Sequence, residues 1–237
     1  MDIRQQSPAF PGTVEGAAID EGLRSYMLRV YNYMASGLAL TGIVAYLVSQ
    51  SPQAIHAIFG TPLYWLVLLA PLGLVFFLSA RIARIQPATA QALYWLYAGL
   101  MGVSMSFIFV VYTDSSIARV FFISAGSFAG LSLYGYTTKR DLSAFASFLM
   151  IGLIGVILAS VVNLFLHSTG LQFAVSVIGV LVFAGLTAYD TQSIKELYFA
   201  GDDASVATRK SIMGALRLYL DFLNLFLMLL QLFGSRR

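Results

Sequence analysis

The sequence predicts an all-α polytopic membrane protein with seven transmembrane helices and the last helix central in the bundle. Three observations carry this. Of 237 residues 59% are hydrophobic and 11% charged, where soluble domains are about a quarter charged. The apolar residues gather into seven runs of the length, about 20 residues, that crosses roughly 30 Å of hydrocarbon. The seventh run alone carries a polar stripe, which must face protein or water rather than lipid.

The first 23 residues hold Pro8, Pro11, Gly12 and Gly16 among polar residues and no apolar run. Residues 1–23 are therefore expected as a flexible cytoplasmic tail, with Ile19 to Arg29 as a candidate amphipathic lead-in helix, and residues 24–237 as the membrane domain. A basic start followed directly by an apolar core and a cleavage site is missing, so the first spanning helix is expected to serve as an uncleaved targeting signal. The seven spans are expected near Tyr26–Gln50, Leu63–Arg81, Ala90–Tyr112, Ile117–Tyr136, Ala144–Leu166, Leu171–Ser193 and Ile212–Phe233. Ser51-Pro52, Thr61-Pro62, Gln86-Pro87 and Ser168-Thr169-Gly170 break the chain between them. Val30 to Ala80 and Leu142 to Tyr189 contain no Asp, Glu, Lys or Arg at all.

With the N-terminus in the cytoplasm, eleven of the fourteen Lys and Arg residues fall on the cytoplasmic side and only Arg119, Arg236 and Arg237 fall outside. The C-terminal pair fits this arrangement least well. The basic residues sit singly or in pairs at helix ends rather than along one face, which argues against nucleic acid as a partner despite a pI near 9.2. The lipid bilayer is the expected partner. Absence of cysteine excludes disulfides and thiolate metal sites.

Two stretches carry chemistry. The sixth and seventh spans each place one aspartate, Asp190 and Asp221, in sequence otherwise suited to lipid. Such carboxyls are costly, by roughly 2.5 to 3.5 kcal/mol on insertion scales, and normally line a bundle interior or a wet cavity. On the seventh span Arg217, Asp221, Asn224 and Gln231 fall at i, i+4, i+7 and i+14, within about 80° on a helix of 3.6 residues per turn. Thr187 precedes Asp190 by almost one turn. If the sixth helix ends near Phe199 and the seventh begins near Ile212, the two aspartates each lie nine residues from the connecting loop and are level. Two carboxyls in contact titrate as one coupled unit. Such a pair is expected to share a proton near neutral pH and, with Arg81 or Arg217 as counter-charge, to hold the cytoplasmic helix ends closed.

The run AYDTQSIK around Asp190 and the run LYLDFLNLF around Asp221 resemble the paired signatures of the transmembrane Bax inhibitor motif family, which includes the YccA-like bacterial inner-membrane proteins. The resemblance in layout extends over about Arg24 to Gly234. It implies a bacterial inner-membrane protein acting as a pH-sensitive calcium leak, with the positions of Asp190 and Asp221 as the sensing pair. It also implies that an arginine of the second helix latches that pair, Arg81 being the nearest match. An acidic residue found on the second helix of some relatives has no counterpart, since the sequence around Ala70 and Pro71 is apolar.

Three classes of function stay open on the residues. In the first, Asp190, Asp221, Asn224 and Thr187 form a hard-oxygen cluster for a low-affinity Ca²⁺ in an ion pathway, with no resident cofactor. In the second, the Tyr189-Asp190 pair with Asp221 is an intramembrane aspartyl protease. That reading is disfavoured because Leu218-Tyr219-Leu220 stands where those enzymes carry glycine-x-glycine before the aspartate, so no enzyme activity is expected. In the third, resemblance to the YccA-like proteins implies a regulator that restrains a membrane-bound quality-control protease through its polar N-terminal tail. Arg217 and Asp221 one turn apart also fit simple helix-to-helix glue. Gly126 to Gly130 has GxxxG spacing, expected by chance in a chain with 20 glycines; His56 and His167 read as solvated loop residues, and Gly201-Asp202-Asp203 as a solvated turn.

Overall fold

A computed structural model describes the backbone of residues 11–237 and side chains from residue 21 onward. Among the described residues there is no named strand. The helices are α1 (Pro11–Ser49), α2 (Pro52–Phe59), α3 (Leu63–Arg81), α4 (Pro87–Met105), α5 (Ile108–Val111), α6 (Asp114–Thr137), α7 (Ser143–Leu166), α8 (Thr169–Glu196) and α9 (Ala204–Phe233). Seven spans are long and apolar enough to cross a membrane, α4 and α5 together making the third. The described backbone is already helical over residues 11–23, while the first ten residues of the expected tail lie outside the described residues.

Local chemistry sets the helix ends. Ser51, Ser168 and Asp203 are N-caps whose side chains accept from the backbone N–H of Ala54, Leu171 and Val206, satisfying donors that a helix start leaves orphaned. Pro52 and Pro87 occupy first-turn positions, where a missing N–H costs nothing. Pro71 lies inside α3, and its ring nitrogen cannot donate to the carbonyl of Val67 four residues earlier. Ser104 of α4 supplies the missing donor, its hydroxyl lying 2.6 Å from Val67 O. In hydrocarbon that replacement matters, because no water is present to take the carbonyl. The third span breaks at Ser106, which turns back to donate to Val103 O at 2.7 Å.

Helices α8 and α9 pack along each other as an antiparallel pair. Helix α9 packs against α1, α4, α6 and α8; α3 lies outside on α4, and α7 outside on α8. Burial follows the same order: 67% of the membrane-spanning stretch of α9 is buried, against 11% for α3 and α7. The outer helices turn Phe76, Phe148, Ile151 and Phe165 outward, as lipid-facing surfaces do. Close approach is set by glycine at particular points. A Cβ added to Gly135 of α6 would overlap the backbone of Ala188 in α8, whereas Gly126 and Gly130 face open space, so the GxxxG spacing makes no helix contact.

The last helix runs the full depth of the bundle. Its start is held at one face, where Arg209 donates to Ile85 O and Lys210 to Leu197 O. Its end meets the α5–α6 connection at the opposite face, where Thr113 N donates to Ser235 O, Arg237 N to Val111 O, and the Arg237 guanidinium pairs with Asp114 at 2.7 Å. Of the two C-terminal arginines, Arg237 thus sits against a local acid at the far face.

Candidate functional site

Asp190 sits in the last two turns of α8 and Asp221 midway along α9; these helices pack along each other, and the two carboxyls are close enough for each to act on the other's charge. Two ionised carboxylates are acceptors only, so a bond between them requires one proton in the pair. Asp221 is 5% exposed. Its Oδ2 is sealed from solvent and meets no donor among the described residues. Asp190 is half-buried.

The cation nearest in effect is Arg217, whose charge acts on both aspartates. It forms no ion pair within 4.0 Å; among the described residues the ion pairs are Lys210 with Asp202 and Arg237 with Asp114. Arg217 therefore biases the pair through the field without neutralising it by contact. The structure does not bring Arg81 there. Arg81 is exposed at the end of α3, and α3 packs on α2 and α4 rather than on α8 or α9. The reason is Pro71 and its Ser104 partner, which fix α3 to the outside of α4.

The other expected site residues are placed as follows. Thr187 is fully buried, but its hydroxyl donates to Phe183 O in its own helix at 2.7 Å. Asn224 is half-buried and its amide donates to Leu220 O at 2.9 Å. Gln231 accepts from Ser176 of α8 at 2.8 Å. Between these levels Met228 fills the notch left by Gly179, so the polar stripe of α9 lies along α8 with an apolar plug in its course. The nine-residue spacing to the loop does not hold. Helix α8 ends at Glu196 and α9 begins at Ala204, because the Asp203 cap lets the polar ASVATRK segment extend the helix beyond the apolar run.

Several residues around the pair escape a reading by hydropathy. Tyr31 of α1, Ser132 of α6 and Thr191 of α8 form a chain of hydroxyls at 2.7 and 3.0 Å, continued by Thr191 to Thr187 O at 2.7 Å. Gln192 pins the α6–α7 connection, accepting from Leu142 N at 2.8 Å and donating to Arg140 O at 2.9 Å, and Lys195 donates to Tyr136 O at 2.9 Å. On the other side Thr41 donates to Ala98 O and meets the Tyr219 hydroxyl at 2.7 Å, beneath the edge-packed rings of Tyr94, Tyr97 and Tyr219. His56 and His167 are exposed. The expected Gly201-Asp202-Asp203 turn is a working one, since Asp202 pairs with Lys210 and Asp203 caps α9. Among the described residues no cluster of three or more His, Cys, Asp or Glu side chains could hold a metal.

Comparison with known proteins agrees in coverage with this architecture. The sequence model described as "Inhibitor of apoptosis-promoting Bax1" matches residues 23–237. An uncharacterized protein of Rickettsia prowazekii is 48% identical over 225 residues, 95% of each chain. The inner membrane protein YbhL of Escherichia coli K12 is 48% identical over 219 residues, 91% of this chain and 94% of that one. An uncharacterized protein of Caulobacter vibrioides is 44% identical over 245 residues, 99% of this chain and 98% of that one.

Proposed function

The chain belongs to the family of inhibitors of apoptosis-promoting Bax1, and from that premise we propose that it is a pH-sensitive cation leak of the bacterial inner membrane, with calcium as the ion carried. The observation that carries this reading is the carboxyl pair itself: Asp190 and Asp221 act on each other's charge inside apolar helices, with no ion-paired cation among the described residues. With one proton between them the pair is a closed clasp across the α8–α9 seam. When that proton leaves, two facing anions repel, and they either part the helices or recruit a cation. When both carboxyls are protonated the site for a cation is gone.

Calcium enters as cargo. Two carboxylates and the Asn224 oxygen fall well short of the six to eight oxygens it takes, so water and backbone must supply the rest and the ion is held weakly, as conduction requires. Arg217 serves as the counter-charge. An inner-membrane location for this chain is supported by the name of its relative YbhL, and a cytoplasmic N-terminus by the bias of Lys and Arg. The reading is non-catalytic: Leu218 and Tyr219 are fully buried just ahead of Asp221, so a peptide backbone has no clearance there.

The test is calcium flux in liposomes loaded with a calcium-sensitive dye. Purified protein is expected to pass calcium down its gradient, and Asp190→Asn with Asp221→Asn together to reduce that flux at least tenfold. Equal flux from the double variant would sink the pathway.

A further inference from the structure

Two grooves flank α1 between Glu21 and Ser36 and meet along it. On the side of α4 lies a polar groove of about 640 Å³ lined by Arg24, Ser25, Arg29, Asn32 and Trp95, with Glu21 as the one acidic side chain in its wall. On the side of α6 lies a groove of about 580 Å³ lined mainly by apolar groups, among them Met27, Met34, Phe128, Leu133 and Tyr136. Arg24 and Leu28 line both, so a cation and an exposed apolar side chain mark the point where the grooves join.

We propose that this joint is a binding site for an anionic phospholipid, its phosphate held at Arg24 and Arg29 and an acyl chain laid between α1 and α6. The fit is one of paired chemistry. At membrane depth the apolar groove has no aqueous occupant, and an acyl chain is the apolar group at hand. The polar groove offers two guanidiniums against one carboxylate, and guanidinium binds phosphate through its planar fork of donors. Position supports the same occupant. Gly22 lies against Tyr198, and the Tyr26 and Tyr198 rings are 5.7 Å apart. The joint is thus on the face that also carries Lys139, Arg140, Lys195, Arg209 and Lys210, a surface that gathers anionic lipid. A zwitterionic lipid fills the apolar groove equally well but gains less at the arginines, so headgroup charge is the discriminating feature.

The floor of the apolar groove gives the site a connection inward. Tyr31 lines it, and its hydroxyl begins the chain through Ser132 to Thr191, the neighbour of Asp190. A bound acyl chain therefore lies over a hydroxyl chain that ties α1 and α6 to α8 beside the carboxyl pair.

The protein holds two tryptophans, Trp65 and Trp95. Trp65 is 62% exposed on α3, so Trp65→Phe leaves a folded protein with Trp95 alone reporting from the polar groove. This full-length variant is placed in phosphatidylcholine vesicles doped with phosphatidylglycerol or phosphatidylcholine brominated near the top of the acyl chain. Brominated phosphatidylglycerol is expected to quench Trp95 at a several-fold lower mole fraction than brominated phosphatidylcholine. Arg24→Gln with Arg29→Gln should bring the two curves together, while Arg24→Lys with Arg29→Lys should keep them apart and report a folded groove. Equal quenching by the two lipids in the parent variant overturns the proposal, as does a preference that survives the glutamine pair. Protection from both lipids means that protein, such as a second copy, covers the grooves, and overturns it too.

Discussion

At the scale of single residues the site rests on a charge imbalance: two facing carboxyls and one guanidinium that reaches them only through the field. Changing Arg217 to Gln removes the positive charge that favours the ionised pair, so the pH at which calcium flux changes should move upward. A flux assay over a pH series checks this, and an unmoved profile would show that Arg217 is packing alone. Gln192 makes a different prediction. It holds the α6–α7 connection by two bonds, so Gln192→Ala should destabilise the protein by about 1–3 kcal/mol through unpaired backbone groups without altering the pH profile. Thermal unfolding in detergent and flux measured together separate the two effects. The aspartates themselves were legible in sequence, because a carboxyl in an apolar run is conspicuous. The hydroxyl chain was not, since Tyr31, Ser132 and Thr191 lie 101 and 59 residues apart and small hydroxyls are common in membrane helices for other reasons. Arg81 looked as suitable as Arg217 in sequence; only the placement of α3 outside α4 separates them.

At the scale of elements, compensation between helices is the recurring feature. Pro71 frees a carbonyl in α3 and Ser104 of α4 takes it. Ser104→Ala should therefore cost about 1–3 kcal/mol. In a Pro71→Ala background, where residue 71 regains its N–H, the same change should cost under about 0.5 kcal/mol. A double-mutant cycle by unfolding in mixed micelles reads the coupling, and additive effects would mean the serine bond is incidental. Gly135 predicts the reverse kind of loss. Its Cα lies against the Ala188 backbone, so Gly135→Ala should strain the α6–α8 contact by about 1–3 kcal/mol, while Gly126→Ala should be neutral within about 0.5 kcal/mol. The number of spans was readable because hydropathy alone decides it. Helix ends were not: α9 starts at Ala204 rather than Ile212 because a cap and good helix formers, not lipid, determine where it begins. The short α2 and the break at Ser106 were missed for the same reason, being written in caps and hydroxyls rather than in apolar length.

At the scale of the whole molecule, burial is least in α3 and α7 and greatest in α9, and the carboxyl pair lies on the two most buried helices. The polar stripe of α9 led to the expectation of a central last helix; α9 packs against α1, α4, α6 and α8. Because α9 traverses the bundle, the two ends of the chain's membrane domain lie on opposite faces. A reporter active only in the cytoplasm, fused after Arg237, should stay silent while the same reporter in the Asp202–Asp203 turn is active; the opposite pattern would invert the assigned orientation. The central claim is that a proton shared by Asp190 and Asp221 controls the leak. The measurement that meets it most directly is calcium flux into liposomes as a function of pH for the parent protein, Asp190→Asn and Asp221→Asn, since an amide keeps the hydrogen bond but does not titrate. The parent should show a pH-dependent flux and each single variant a flat one; two variants that keep the parent's pH profile would contradict the claim and leave the pair as helix-to-helix glue.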